Sequence, residues 1–117
     1  MINCLIIENS TKVIEKIKSF KDEFTGMSFT YVSENQEIAL NLILKSNFDL
    51  IFYNIDSTKI NISNFLFEIQ TSYKSKLKFI ALSSRKENAY EAYTYNFCDF
   101  LLKPLSELSI RKSLLKF

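Results

Sequence analysis

The chain has 117 residues, 47% of them apolar, which fits one compact domain spanning residues 1–117 and leaves no room for a second. Fifteen Lys and Arg against thirteen Asp and Glu give a net charge of +2, too small to act as an electrostatic footprint for nucleic acid by this chain alone. The sequence has no His, and its two cysteines match no metal-ligand spacing, so a zinc site is close to excluded.

The apolar runs indicate a protein that stays out of membranes. They are short and interrupted by charge, and none approaches the roughly 20 residues that a membrane span needs. The N-terminal MINCLIIENS has no basic flank and no small-residue cleavage site, which argues against a secretion signal. We therefore expect a cytoplasmic protein, with Cys4 and Cys98 as reduced core residues.

The first third of the chain alternates between strand and helix patterns. The nearly continuous apolar run Ile2 to Ile7 predicts a strand covered on both faces. Apolar residues at helical spacing predict a helix over Thr11 to Phe24, with Gly26 just past its end as a cap. The β-branched and aromatic stretch Phe29 to Val32 predicts a second strand.

Ser33 and Gln36 form a capping-box pattern, which predicts a second helix through about Lys45. We expect three of its apolar residues to point inward: Ile38, Leu42 and Ile43. The later predicted elements follow in chain order: a strand Asp49 to Asn54, a helix near Asn64 to Tyr73, a strand Lys78 to Leu82, a helix near Lys86 to Tyr95, a strand Asp99 to Leu102, and a helix from about Ser106. Strands alternating with helices in this way favour an α/β fold with a parallel sheet covered on both faces.

Polar residues follow four of the predicted strands. In an open parallel sheet, ligands bind beyond the carboxyl ends of the strands. We therefore expect one cleft to contain the residues at those ends: Glu8 and Asn9 after the first strand, Asn54 after the third, Ser83 after the fourth, and Lys103 with Pro104 after the fifth. Asp49 and Asp99 precede their strands and belong to the opposite edge.

This arrangement resembles the receiver domain of two-component response regulators, a CheY-like, flavodoxin-like (βα)5 fold, over essentially the whole chain. In that family the first strand ends in two acids, the third in the phosphate-accepting Asp, the fourth in Thr or Ser, and the fifth in Lys-Pro. Here CLIIEN, FDLIFYNID, FIALSS and DFLLKP stand in those places. The resemblance implies a strand order of 2-1-3-4-5, a cis bond between Lys103 and Pro104, phosphate contact at Ser83, and an aromatic switch position at Phe100.

Two of the three acidic positions depart from the family pattern, because Asn9 and Asn54 replace acids. The resemblance implies a carboxylate nucleophile assisted by magnesium, and an amide oxygen is a far poorer nucleophile. We therefore expect Asn54 not to accept a phosphoryl group, although Asn is also common wherever a strand turns. Among the matched positions Glu8 and Lys103 sum to zero charge, so we expect magnesium binding to be weak or lost.

The leading hypothesis is a degenerate receiver domain that is not an enzyme and acts by contacting protein partners, such as a sensor kinase or an output domain. The alternative is a phosphorylation-competent receiver that uses a surrogate acid such as Asp56 and controls a DNA-binding output domain, although we expect Asp56 to splay outward. A small cofactor-binding protein of flavodoxin-like shape is disfavoured, because phosphate-cradling loops are usually Gly-rich and this chain has one Gly.

The stretch AYEAYTYNFCDFLLKP is similar to the corresponding part of regulators that carry a LytTR-type DNA-binding domain. The resemblance implies either the N-terminal receiver part of a longer regulator or a stand-alone receiver. The aromatic residues here indicate either a homodimer face formed by the fourth helix, fifth strand and fifth helix, or ordinary packing. They are Tyr90, Tyr93, Tyr95, Phe97 and Phe100.

Overall fold

A computed structural model of the chain describes residues 1–72 and 76–117. The strands, β1 to β5 in chain order, are Ile2–Ile7, Met27–Val32, Leu50–Asn54, Lys78–Ser83 and Asp99–Leu102. The helices, α1 to α5, are Thr11–Lys18, Gln36–Lys45, Ile62–Gln70, Ala89–Thr94 and Glu107–Leu114. The strands form one parallel sheet in the order β2-β1-β3-β4-β5, which confirms the predicted fold class and strand order. Within the described ranges, no helix combines the length and apolar character needed to cross a bilayer.

The central strand β3 divides the core into two layers. All five of its residues are buried, because β1 and β4 flank it and helices cover both of its faces. Successive side chains point to opposite faces of a strand. Leu50 and Phe52 therefore pack with residues of α1 and α5, whereas Ile51 and Tyr53 pack with residues of α2, α3 and α4. The uninterrupted apolar run of β3 is thus explained by burial on both faces.

The first helix is shorter than predicted. It ends at Lys18 and is followed by a 3-10 turn, Ser19–Lys21, in which Phe20 is buried and packs against Phe24 in a tilted arrangement, with ring centroids 6.2 Å apart. The periodic apolar spacing beyond Lys18 therefore reflects these aromatic contacts and not a longer helix. Ser19 caps this helix, and Gly26 lies well past its end without a positive φ, so the predicted role of Gly26 as its cap was wrong. The carbonyl of Gly26 instead accepts a hydrogen bond from the backbone N–H of Ile2 at 2.7 Å.

The second helix begins differently from the prediction. Asn35, and not Ser33, is its N-cap, and its side chain accepts a hydrogen bond from the backbone N–H of Ile38 at 3.0 Å. The capping-box prediction was therefore wrong. Ile38 is half exposed, contrary to the expected inward position, whereas Ile43 is buried.

Two of the remaining three helices also differ from the prediction at their ends, and the fifth begins where it was predicted. The third helix has Asn61 as its N-cap, so it begins earlier than expected, and its predicted end at Tyr73 lies outside the described residues. The fourth begins as a 3-10 turn, Lys86–Asn88, before α4. The fifth has Ser106 as its cap, with the side chain accepting a hydrogen bond from the N–H of Ser109. Periodicity does not distinguish such turns from the helices they adjoin.

The two cysteines are free thiols in different environments. Cys4 lies in the core, where burial, and after it the charge of Asp49, raises the pKa of the thiol to about 12. Cys98 is exposed, so its predicted core position was wrong. It precedes the edge strand β5, which has a neighbour on one side only, and its thiol donates to the carbonyl of Phe79 at 3.2 Å.

Candidate functional site

The carboxyl ends of the strands bring together five polar residues, which we term the acid–amide cluster. Four of these residues follow β1, β2 and β5, and one ends β3. Four of the five were expected to converge here, and only Glu34 was not. The members are Glu8, Asn9, Glu34, Asn54 and Lys103.

Lys103 and Glu8 form a largely buried ion pair within this cluster. The ammonium nitrogen lies 2.7 Å from Oε1 of Glu8, and the two side chains are 17% and 2% exposed. The other carboxylate oxygen, Oε2, accepts hydrogen bonds from the backbone N–H groups of Asn9 and Ser10 at 3.0 and 3.1 Å. The peptide bond between Lys103 and Pro104 is cis, as the family resemblance implied. Loss of either charge would leave the other buried without its partner, which typically costs about 3–5 kcal/mol.

Asn54 lies between the ammonium group and a second carboxylate. Its Oδ1 accepts from Lys103 Nζ at 3.2 Å and from the backbone N–H of Asp56 at 3.2 Å, while its Nδ2 donates to Oε2 of Glu34 at 2.8 Å. The opposite amide orientation would place NH₂ against two donors and the oxygen against a carboxylate. The surroundings therefore determine the orientation of the amide, and they require a donor at this position.

Glu34 is the member of the cluster that the sequence analysis missed. It lies just beyond β2, is buried, and its Oε2 also accepts the backbone N–H of Asn9 at 3.0 Å. The backbone N–H of Glu34 donates in return to Oδ1 of Asn9 at 3.1 Å. The pattern of residues 33 to 36 indicated a helix cap, so the sequence predicted no site residue at the end of β2. The position of this acid, two residues past the strand that pairs with β1, was the signal in the sequence that could have placed it in the cluster.

Glu34 changes the charge balance of the cluster. The sequence-based count included only Glu8 and Lys103 and gave zero, whereas two carboxylates against one ammonium leave a charge of −1. The neutrality argument against a cation was therefore wrong. Two donors, the amide of Asn54 and the backbone N–H of Asn9, stabilise the carboxylate of Glu34.

The donor set nevertheless does not fit magnesium, which prefers an octahedral shell of hard oxygens that includes carboxylates. An ammonium group already contacts Glu8, a backbone N–H occupies Oδ1 of Asn9, and Asn54 turns its NH₂ toward Glu34. Over residues 1–72 and 76–117, no three His, Cys, Asp or Glu side chains are grouped as metal ligands. The obstacle to a divalent ion is thus the occupied oxygens and not the net charge.

A second polar group, which we term the Asp56 cradle, lies beside the acid–amide cluster. Asp56 turns inward, so the prediction that it splays outward was wrong. Its Oδ1 accepts from the hydroxyl of Ser83 and from Asn88 Nδ2 at 2.8 Å. Its Oδ2 accepts from the backbone N–H and the hydroxyl of Ser84 at 2.8 and 2.7 Å. The physical reason is that these donors lie close beside the turn after β3, where the N–H of Asp56 also bonds to Oδ1 of Asn54 at 3.2 Å.

The cradle strongly favours the charged form of Asp56. Burial alone would raise the pKa of this carboxyl, but the hydrogen bonds from Ser83, Ser84 and Asn88 outweigh it and lower the pKa from 3.8 to about 2. Ser83 is fully buried, and its hydroxyl also accepts the backbone N–H of Arg85 at 3.0 Å. The sequence analysis named Ser83 but gave no role to Ser84 or Asn88, which are ordinary loop residues by composition.

Phe100 does not enter either polar group. It lies in β5 opposite Ala81 of β4 and packs, half-buried, against the core layer that contains Tyr53. Asp49 and Asp99 lie at the opposite edge, as expected: Asp49 accepts the backbone N–H of Asn3 at 2.8 Å, and Asp99 accepts from Ser113 and Lys116 at 2.7 and 3.0 Å.

The whole chain superposes on solved receiver domains. The response regulatory domain of the protein MrkE from Klebsiella pneumoniae matches at a TM-score of 0.82 and 20% identity, over 98% of this chain and 93% of that one. The REC domain of AraT, a response regulator from Geobacillus stearothermophilus, matches at 0.80 and 22%, over 97% and 90%. Chemotaxis protein CheY4 of Vibrio cholerae matches at 0.80 and 17%, over 99% and 98%. This chain has the receiver-domain fold.

At these identities the likeness establishes the fold and does not establish the activity. No protein-family model matches the sequence, and no curated protein matches it significantly. The function of this receiver fold therefore has to be argued from the acid–amide cluster and the Asp56 cradle.

Asn54→Asp should destabilise the domain. The change replaces a 2.8 Å N–H···O bond to Glu34 by two facing carboxylates, so three carboxylates then compete for one ammonium. We expect the free energy of unfolding in urea to fall by roughly 3 kcal/mol at neutral pH. The double variant Asn54→Asp/Glu34→Gln restores one donor and one acceptor and should recover more than half of the loss.

The matched control for that experiment is Asn41→Asp, an identical change on the exposed side of α2, which should alter the unfolding free energy by less than about 0.5 kcal/mol. An Asn54→Asp variant as stable as the parent would contradict the assigned contact with Glu34.

Asp56→Asn should cost stability at neutral pH and less in acid. Because the pKa of Asp56 is lowered to about 2 in the folded state, its stabilisation is complete well above pH 3.8 and is lost as the pH falls toward 2. Between about pH 6 and about pH 3, we expect the difference in unfolding free energy between parent and variant to shrink by about 1 kcal/mol. A difference that stays constant over that range would rule out the assigned hydrogen bonds.

Proposed function

We propose that this domain is a degenerate receiver of a two-component signalling pathway that acts by contacting protein partners and is not itself phosphorylated. The observation that carries the proposal is the amide of Asn54 at the end of β3, the position of the family's acceptor Asp. The likeness to solved receiver domains supports the fold, and the contacts of Asn54 support the loss of phosphoryl transfer.

The chemistry of the cluster argues against phosphoryl transfer. Transfer to a side chain needs a basic oxygen and positive charge to stabilise the transferring group. Oδ1 of Asn54 is an amide oxygen that already accepts two hydrogen bonds. The positive charge of Lys103 is balanced by Glu8 at 2.7 Å. Neither the nucleophile nor the free cation of a transfer site is therefore available, and we assign the domain no catalytic role.

Protein partners are the proposed means of action, with a sensor kinase or an output domain as the expected classes. Exposed apolar side chains lie on α4, β5 and α5, including Tyr90 and Tyr93, each 79% exposed, and Leu102 and Leu108. Aromatic residues are favoured anchors in protein interfaces. We propose that residues 1–117 act as one cytoplasmic unit, either alone or as the receiver part of a longer transcription regulator, and that this surface can also form a homodimer.

The second candidate function is a phosphorylation-competent receiver that uses Asp56 and controls a DNA-binding output domain. One observation favours it, namely that Asp56 faces the buried Ser83 hydroxyl and not solvent. Against it, both carboxylate oxygens of Asp56 already accept two hydrogen bonds each, which reduces their availability as nucleophiles.

Acetyl phosphate with magnesium should leave the parent protein unmodified, since no free basic oxygen is available beside Lys103. Intact-mass spectrometry provides the measurement. The variant Asn9→Asp/Asn54→Asp/Glu34→Gln supplies two carboxylates in the family positions and removes the competing acid, so it should gain one phosphoryl group. Asp56→Asn, treated in the same way, is the matched control for phosphorylation at Asp56. A mass gain in the parent that disappears in Asp56→Asn would replace the leading proposal with the second one.

The proposed homodimer surface can be tested with exposed tyrosines. Tyr90→Ser/Tyr93→Ser should leave the unfolding free energy nearly unchanged, because both side chains are exposed, and should weaken self-association about tenfold in sedimentation equilibrium. Phe67→Ser, an exposed aromatic change on α3, is the control and should have no effect on association. Equal effects of the two variants, or a parent that stays monomeric, would exclude this surface.

A further inference from the structure

The Asp56 cradle joins the end of β3 to the segment that leads into α4. The donors are the hydroxyl of Ser83 at the end of β4, the N–H and hydroxyl of Ser84 in the loop, and Asn88 in the 3-10 turn directly before α4. We propose that Asp56 is a built-in anion that holds residues 84–88 in one conformation and so fixes the start of α4 without any added phosphoryl group.

The donors around Asp56 form a complete anion site. Each carboxylate oxygen accepts two hydrogen bonds, and the donors are hydroxyl, amide and backbone N–H groups, which also bind free oxyanions. Asn88 Nδ2 additionally contacts the Ser83 hydroxyl at 3.1 Å, so the donors also contact one another. A tethered carboxylate has a high effective concentration at these donors, which excludes a free anion of ordinary affinity.

The cradle is continuous with the acid–amide cluster. The N–H of Asp56 donates to Oδ1 of Asn54, and the same oxygen accepts from Lys103 Nζ, each at 3.2 Å. Hydrogen bonds therefore run from β5 through the end of β3 to the segment before α4. Lys103 holds Asn54, Asn54 orients the backbone of Asp56, and the Asp56 side chain holds the loop.

The functional consequence concerns α4. The 3-10 turn that contains Asn88 runs directly into this helix, which carries the exposed Tyr90 and Tyr93. A fixed loop therefore gives these side chains a fixed position relative to β5. The inference deepens the proposed function and rests on it only in treating α4 as part of the interaction surface; the state of the loop is a separate question from phosphoryl transfer.

Hydrogen exchange of individual amides tests the proposal on the whole chain. In Asp56→Asn we expect the amides of residues 84–88 to exchange about tenfold faster than in the parent, because the variant loses the anion that accepts four hydrogen bonds. Amides of β3 serve as the internal reference for global stability and should change less. Asp99→Asn is the matched control, since Asp99 also accepts from a serine hydroxyl but lies at the opposite sheet edge.

Ser84→Ala provides a second variant if Asp56→Asn does not fold, because Ser84 is exposed and its loss removes one donor only. We expect this variant to increase the hydrogen-exchange rate of the same amides by a smaller factor than Asp56→Asn does. Parent-like exchange at residues 84–88 in the variant, or an increase no larger than that of β3, would overturn the proposal. Such a result combined with no phosphoryl gain in the parent would remove the loop proposal and leave the proposed function intact.

Discussion

The contact of the Lys103 ammonium with Glu8 is the constraint on which the rest of the cleft depends. An ammonium group offers donors only, so the groups around it must present oxygens. Glu8 does so at 2.7 Å and Asn54 at 3.2 Å. Once Oδ1 of Asn54 faces Lys103, its NH₂ must face the other way, and there it meets the carboxylate of Glu34. One charge therefore sets the orientation of an amide and explains why a second buried acid is tolerated.

Amides at positions 9 and 54 allow the polar groups of the cleft to form a closed hydrogen-bond network. Three clustered carboxylates would repel one another and need a cation between them. Asn9 and Asn54 instead donate to or accept from their neighbours, and the acid that remains across from Asn54 is provided by Glu34 from beyond β2. The protein thus keeps the receiver fold while its polar groups satisfy one another. Polar groups also satisfy one another at Asp56, whose carboxylate accepts hydrogen bonds from Ser84 and Asn88.

The pattern of apolar residues was sufficient to predict the strands and the parallel sheet. The contacts between polar side chains could not be predicted from that pattern. β3 was predicted as a strand because burial on both faces requires an unbroken apolar run. Lys103 and Glu8 were predicted as site residues because the carboxyl ends of parallel strands lie at one edge of a sheet. Glu34 was missed because its neighbours match a helix cap, which is a local pattern. Asp56 was expected to splay outward because a loop begins there, whereas hydrogen bonds from Ser83, Ser84 and Asn88 hold its side chain inward. Contacts between residues distant in sequence decided each of these cases.

The burial of β3 has a consequence for how changes could spread through this molecule. Its five residues are enclosed by two strands and by helices on both faces, so the strand cannot shift without disturbing both core layers at once. Asn54 is consequently anchored to a strand that has no room to move, and its amide joins that strand to Glu34 and Lys103 in the neighbouring loops. Any displacement that this network transmits would therefore have to be taken up by the loops at the rim of the sheet, because β3 beneath them cannot shift.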